Sequence, residues 1–351
     1  MNRKERPKTD SASPRKVLLI RPRRIGDIVM TTPAVAALKR ARPDTSLTYV
    51  VEESFRRLIE GNPDIDEVIP IPPHQSLISF ARLIRRLRRE KYDLAIDFHG
   101  GPRASRLAWL SGAKLKVGYE LKHKEFCYDI RIPRSREGAP IHSVENHLNL
   151  IRAAGIDVQE PWPRLTLPPA EKEEGERIDR LWAEQKLDSS KVVVLHIGAG
   201  NEFRDWGRQN LVALAARLAG MPGIRVLLVG SRQDAPRAEE IRTESRESVL
   251  SLAGRLNLIE LREVIERSAL FIGPDSGPMH IAAATSTPIV ALFGPNLSAY
   301  NSPWKAKATI IEKTLGCRPC KQRKCLTRDF RCLRSITVDE VLQACLPHLQ
   351  A

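Results

Sequence analysis

The sequence predicts two doubly wound α/β halves in tandem, each a parallel sheet covered by helices, facing a central cleft. Three observations lead there. Short apolar runs alternate with helical patterns over the first 160 residues, the composition changes over residues 160–190, and the alternation starts again at Lys191.

In the first half the strand-like runs are KVLLI (16–20), LTYVVE (47–52), EVIPI (67–71), DLAIDF (93–98) and KVGY (116–119). Near-continuous apolar runs of this length suit strands buried on both faces. Between the first two, TTPAVAALKRAR offers Thr32 as a cap and Pro33 at the first helical position. SLISFARLIRRLRREK sets Leu77, Phe80, Leu83, Ile84 and Leu87 on one helical face, with Arg82, Arg85, Arg86, Arg88 and Arg89 opposite.

The stretch PWPRLTLPPA is proline-rich and EKEEGERIDRLWAEQK is charged and helical, so a boundary between domains falls here. The second half repeats the pattern with KVVVLHIG (191–198), IRVLLVG (224–230), SVLSLAG (248–254), ALFIG (269–273) and PIVALFG (288–294). ITVDEVLQACLPHL reads as a terminal helix capped by Thr337. The expected division is a disordered basic leader over 1–15, a first domain over 16–165, a linker and helix over 166–190, a second domain over 191–335 and the terminal helix over 336–351.

Composition narrows the partners. The chain has 351 residues and a net charge of +15, of which +10 lies in residues 1–160. The first half is therefore expected to face an anion: nucleic acid, an anionic lipid head group or a phosphorylated glycolipid, with plain solvated charge as the alternative. Aromatic content of 5% and the lack of a recognised RNA- or DNA-binding motif speak against nucleic acid. No apolar run approaches the roughly 18 to 20 residues that span a bilayer, and none precedes Val17, so the expected location is cytoplasmic.

Six cysteines are present, four of them, Cys317, Cys320, Cys325 and Cys332, in one 16-residue window. Gaps of two, four and six residues are not a standard paired zinc pattern, and both a structural zinc and simple thiol packing fit them. Cys127 and Cys345 stand apart and read as ordinary apolar residues.

Three loops that follow strand-like runs carry the candidate chemistry. RPRRIGDIVMTTPA (21–34) holds an arginine cluster that includes Arg24, a turn glycine Gly26, and Asp27 at a helix start. There Asp27 is either a cap or a general base aimed into the cleft. HIGAGNEFRDWGRQN (196–210) has Gly198 and Gly200, but Phe203 occupies the third position of a dinucleotide fingerprint, so a nicotinamide site is not expected. A phosphate-sized turn with Arg204 beside it remains, and Trp206 is expected to pack rather than stack on a base.

GPDSGPMHIAAA (273–284) is a strand-to-helix turn. Asp275 or Ser276 either caps the helix or takes part in an anion site at its start. A carboxylate would repel that anion, so Asp275 is expected to accept hydrogen bonds from sugar hydroxyls. His280 reads equally as a core histidine and as a ligand contact. These loops show no acidic pair of the kind that holds Mg²⁺.

At this point the residues resemble a known family. IGDIVMTTPAVAALKRARPDTSLTYVV with GNPDIDEVI is similar to the opening of the ADP-heptose:lipopolysaccharide heptosyltransferases, glycosyltransferase family 9. NEFRDWGRQNLVALAARL, GPDSGPMHIAAATSTPIVALFGP and CRPCKQRKC with RCLRSITVDEV resemble that family's second half, so the likeness covers nearly all of the chain after the leader.

The resemblance implies a GT-B fold with a nucleotide-sugar donor, ADP-heptose, in the second domain. It implies a glycolipid acceptor of the Kdo-lipid A type on the first, met at the inner face of the cytoplasmic membrane, and inversion with neither metal nor cofactor. It further implies Asp27 as catalytic base and Arg204, where many members carry lysine, on the donor phosphates. Asp275, Ser276, Gly277 and His280 would line the donor site, with Gly200 and Asp234 as further donor contacts and Arg24 and Arg103 on the acceptor side. A member using a different nucleotide sugar, and a non-catalytic sugar-nucleotide binder, stay open as alternatives.

Overall fold

The computed structural model describes residues 14–122, 125–134, 140–245 and 248–349, so all but the last two residues of the expected leader lie outside it. The first half runs β1 (Lys16–Ile20), α1 (Ile25–Val29), α2 (Thr32–Ala41), β2 (Ser46–Glu52), β3 (Glu67–Ile71), α3 (Leu77–Glu90), β4 (Leu94–Asp97), α4 (Pro102–Leu110), β5 (Leu115–Tyr119), β6 (Ile130–Ile132) and α5 (Ser143–Ala153). The second runs α6 (Lys172–Glu184), β7 (Lys191–His196), α7 (Arg208–Ala219), β8 (Ile224–Val229), α8 (Ala235–Glu244), β9 (Val249–Ser251), α9 (Leu258–Glu266), β10 (Leu270–Pro274), α10 (Gly277–Ala283), β11 (Ile289–Phe293), α11 (Ser298–Asn301), β12 (Ala308–Glu312), α12 (Arg331–Arg334) and α13 (Val338–Leu349).

All strand pairs are parallel, in the orders β3-β2-β1-β4-β5-β6 and β12-β11-β10-β7-β8-β9. In each sheet the order reverses beside the first strand, β1 or β7, which opens a crevice beyond the strand ends. Both strands are apolar almost throughout because helices cover both faces. Along β1, Val17 and Leu19 face α2 and α5, while Leu18 and Ile20 face α3 and α4. No helix among the described residues is long and apolar enough to cross a membrane.

The sequence missed β6 and β12, both outermost strands. An edge strand is covered on fewer sides and needs less apolar sequence: β6 alternates around exposed Arg131, and β12 is half-exposed. Two helix readings change as well. Thr32 is not the cap of α2, because Thr31 holds that position and directs its hydroxyl to the carbonyl of Ile28 and to Tyr49. Leu77 is not on the buried face of α3: Ser76 caps the helix, and Leu77 projects from its first turn, 89% exposed. The cap proposed for α13 is present, since Thr337 Oγ1 accepts from the Glu340 amide at 3.2 Å and Glu340 accepts from the Thr337 amide at 2.7 Å.

One apolar core runs through both halves, joining Val29, Val35 and Leu38 to Phe271, Met279 and Ile281. The two halves meet where α1 crosses α10. A Cβ on Gly26 would lie 2.4 Å from His280 Cδ2, and one on Gly277 would lie 2.7 Å from Ile25 Cβ. The glycines are there because nothing larger fits between the two helices.

The proline-rich strap holds this crossing in place. Thr166 donates its amide to Thr32 Oγ1 at 3.0 Å, Arg164 donates to the Thr285 carbonyl at 2.9 Å, and Trp304 Nε1 donates to the Pro163 carbonyl at 3.0 Å. Across the cleft mouth, His142 Nε2 donates to the Ser302 carbonyl at 2.9 Å and Ser143 donates to Asn301 at 2.6 Å.

Gly277→Ala should destabilise the protein by about 1–3 kcal/mol through overpacking against Ile25, whereas Gly175→Ala, inside α6 with open space around it, should stabilise by about 0.5–1 kcal/mol. Urea unfolding of the two variants checks this, and equal midpoints would show that the α1–α10 crossing is slack.

Candidate functional site

A cavity of about 650 Å³ among the described residues lies between the two sheets and is lined from both halves. Its first wall is built on the loop after β1. Arg21 is 2% exposed, and its guanidinium donates to the Phe98 carbonyl at 2.7 Å and forms an ion pair with Asp27 in the first turn of α1. Burial by itself would raise the Asp27 carboxyl, but Arg21 and then Arg24, with Arg134 behind them, hold it below the usual carboxylate range. Asp27 is thus a half-buried acid at the cleft surface that is charged at neutral pH. Arg24 precedes α1 with φ of 75°, a left-handed backbone rare for a side-chain-bearing residue, and it lines the cleft with Arg23.

The rest of this wall comes from the loop after β4. Asp97 is fully buried; its Oδ1 accepts from the amides of His99 and Gly100 at 2.7 and 2.9 Å, and its Oδ2 accepts from Tyr128 at 2.5 Å. That turn presents His99, Gly100 and Gly101 to the cleft. The His99 imidazole is pushed down to about 4 by burial and by Arg21, and its Nδ1 is buried with no hydrogen-bond partner. His147, held by Tyr119 at 3.0 Å, stands behind Asp27 and is kept neutral by burial and the same arginines.

The second wall is the turn between β10 and α10. Asp275 is 3% exposed, and Asn296 Nδ2 donates to its Oδ2 at 2.7 Å. Arg204 Nη1 donates to the Asp275 carbonyl at 2.9 Å and lies 3.7 Å from Oδ2. Gln322 accepts from Arg204 Nε at 3.3 Å and from Asn201 at 3.1 Å. Arg204 is therefore oriented from two sides and still opens on the cavity. Neither Asp275 nor Ser276 caps α10 with its side chain; the Ser276 hydroxyl meets His196 Nδ1 at 3.3 Å. His280 packs on Gly26, is held neutral chiefly by burial, and leaves Nδ1 buried without a partner.

Of the residues singled out from sequence, Arg24, Asp27, Arg204, Asp275, Ser276, Gly277 and His280 share this cleft. Gly200, Asp234 and Arg103 are not among its lining residues. Gly200 holds a left-handed turn, φ 69°, in the loop after β7. Asp234 Oδ2 accepts from the Ser231 amide and hydroxyl at 2.8 and 2.6 Å, closing the turn into α8. Arg103 pairs with Glu52 at 3.1 Å and ties down the carbonyls of Pro72 and Pro73 and the Gln75 side chain. Trp206 packs as expected, 3% exposed, with Nε1 donating to the Ile336 carbonyl at 2.8 Å.

Among the described residues no group of three or more His, Cys, Asp or Glu is placed to hold a metal ion, Cys317, Cys320, Cys325 and Cys332 included. Cys127 and Cys345 are buried, as apolar residues would be. Sequence reasoning placed Arg21 in the arginine cluster without giving it the contact with Asp27, and missed His99, His147, Asn296 and Gln322. HGG after β4 carries the same strand-then-glycine signal as the three candidate loops, while Gln322 arrives from the distant cysteine-rich segment, whose spacing points to thiols and not to this cleft.

Burial brings His99, His142 and His196 from 6.5 to about 4. The unfolded chain takes up these protons near 6.5 and the folded chain refuses them until about 4, so stability should be full above 6.5 and fall as pH drops through that window. Imidazole NMR titrations and urea midpoints at neutral and mildly acidic pH measure it; ordinary midpoints near 6.5 would refute the assignment.

The model of "Glycosyltransferase family 9 (heptosyltransferase)" matches residues 80–330. Lipopolysaccharide heptosyltransferase 3 of Escherichia coli is 27% identical over 296 residues, 80% of this chain and 83% of that one. The family 9 glycosyl transferase structure from Veillonella parvula superposes with a TM-score of 0.83 at 23% identity, covering 96% and 97% of the two chains. The E. coli heptosyltransferase WaaC, solved with ADP-2-deoxy-2-fluoro heptose, gives a TM-score of 0.69 at 19% identity over 93% of this chain and 98% of that one.

Proposed function

The chain belongs to glycosyltransferase family 9 and is a glycosyltransferase of GT-B fold, and from that premise we propose that it moves a heptose from ADP-heptose to a lipopolysaccharide core acceptor of the Kdo-lipid A type. The observation that carries the reading is the facing of two unlike walls across one cleft: a charged carboxylate, Asp27, on the first half, and an oriented cation, Arg204, beside a strand-to-helix turn on the second. A displacement at an anomeric carbon needs both at once. The donor named for the WaaC structure supplies the nucleotide and the sugar in this reading.

In the proposed reaction Asp27 accepts the proton of an acceptor hydroxyl as that oxygen bonds to the anomeric carbon. The bond from that carbon to the β-phosphate oxygen breaks, the electron pair leaves with ADP, and Arg204 with the Ser276 and Gly277 amides receives the developing charge. Attack opposite the leaving group inverts the anomeric centre, and no step calls for a metal ion or cofactor. Arg21 sets the direction and ionisation of the base. The second carboxylate oxygen of Asp275 is left for a sugar hydroxyl, since Asn296 holds the first. Arg23, Arg24 and Arg134 give the acceptor side a basic wall suited to an acidic sugar or phosphate on a lipid met at the inner face of the cytoplasmic membrane.

Asp27→Ala should lower turnover by on the order of 10²- to 10⁴-fold while leaving the donor dissociation constant nearly unchanged. Calorimetry against ADP-, GDP- and UDP-linked sugars, beside a transfer assay, tests the whole reading. Preference for GDP- or UDP-sugars would reassign the donor, and nucleotide-sugar binding with no transfer to any acceptor would make the protein a binder.

Because Arg21 keeps Asp27 ionised, the acid limb of kcat/KM should lie below the ordinary aspartate value of about 4. Arg21→Gln removes that cation, so burial then dominates and the limb should move to higher pH. An unmoved profile would take Asp27 out of the role of base.

A further inference from the structure

We propose that the outer face of α3 and α4 is a docking surface for an anionic lipid bilayer, with the cleft mouth held beside the lipid. Arg82, Arg85, Arg86 and Arg89 surround one surface concavity together with Glu90. Arg86 pairs with Glu67 at 2.7 Å and Glu90 is taken by Lys16 at 2.9 Å, while Arg82, Arg85 and Arg89 have no partner among the described residues. Like charges three and four residues apart weaken a helix. An external anion removes that repulsion.

Apolar groups flank this basic patch. Leu77 and Ile78, 89% and 66% exposed, project at the start of α3. At the far end of the layer Trp109 and Phe126, 46% and 63% exposed, form an edge-to-face pair at 5.3 Å. Of the six large apolar side chains exposed among the described residues, four therefore lie on this one layer. Scattered exposed apolar residues need no explanation, but four beside unpaired arginines form the pattern of an interfacial surface.

Position completes the argument. Gly101 lines the cleft and precedes α4, and Arg103, in the first turn of α4, holds Pro72, Pro73 and Gln75, which lead into α3. Leu77 and Ile78 therefore sit at the cleft edge. At the other end, Arg88 donates to the Leu110 carbonyl at 2.9 Å, so α3 and α4 run side by side in the same direction and present one strip, apolar, basic, then aromatic. Nucleic acid would satisfy the arginines and leave the apolar ends without a partner; a bilayer with anionic head groups satisfies both.

The inference adds a contact surface to the lipid-linked acceptor proposed above, and its test uses vesicles that contain no acceptor, so the two readings fail separately. The full chain is floated with phosphatidylcholine vesicles and with vesicles containing roughly a third phosphatidylglycerol, at low and high salt. Wild type should bind only the anionic vesicles, and less so in salt. Arg82→Gln/Arg85→Gln/Arg89→Gln should reduce the partition coefficient by on the order of 100-fold, about fivefold for each charge lost. Leu77→Ser/Ile78→Ser should reduce it by about tenfold.

Both variants should keep wild-type urea midpoints and wild-type transfer to a deacylated, water-soluble acceptor, because these side chains lie outside the cleft. Equal binding to both vesicle types, or binding unchanged in both variants, would overturn the proposal. So would tighter binding to duplex DNA than to anionic vesicles, lost in the arginine variant.

Discussion

The close crossing of α1 and α10 is the constraint from which the rest of the site follows. Gly26 and Gly277 each leave room for a side chain from the opposite half, His280 and Ile25. The helices can then approach closely enough for one apolar core to continue across both halves. The proline-rich strap and the Ser302 and Asn301 contacts close the other sides. A cleft framed this way brings an acid carried near residue 27 to face a cation carried near residue 204.

Charge inside the cleft is ordered by burial. Arg21 lies behind Asp27 rather than in solvent, so its influence is little screened, and together with Arg24 and Arg134 it outweighs the desolvation that would otherwise raise the acid's pKa. The histidines around it, His99 and His147, are held neutral by the same burial and the same arginines. On the opposite wall the Asp275 carboxylate is not left free, because Asn296 donates to it and Arg204 lies 3.7 Å away. The Asp275 carboxylate is tied to Asn296, while its main-chain carbonyl is what orients Arg204.

The first half carries two different concentrations of positive charge. Arg21, Arg23, Arg24 and Arg134 belong to the cleft, while Arg82, Arg85 and Arg89 stand outside it on α3. Both contribute to the excess of +10 over residues 1–160. Composition reports that total but cannot divide a ligand-binding wall from an outer surface.

The amino-acid sequence by itself determined the alternation of elements, because a strand covered on both faces must be apolar throughout and a covering helix must be apolar on one side. It also determined the strand-to-turn positions of Asp27, Arg204 and Asp275, since glycine, proline and short polar residues act through local backbone geometry. Tertiary structure alone decided which of these residues share a space. Asp234 and Arg103 carry suitable chemistry, yet Asp234 closes its own turn with Ser231, Arg103 binds Glu52 and the Pro72 and Pro73 carbonyls, and neither is among the cleft's lining residues. Gln322, from the cysteine-rich segment, and His147 came into the site by packing that joins residues more than a hundred positions apart, which nothing in their own segments announced. Local pattern is written in neighbours along the chain, whereas convergence on a cleft depends on contacts that no short window of sequence contains.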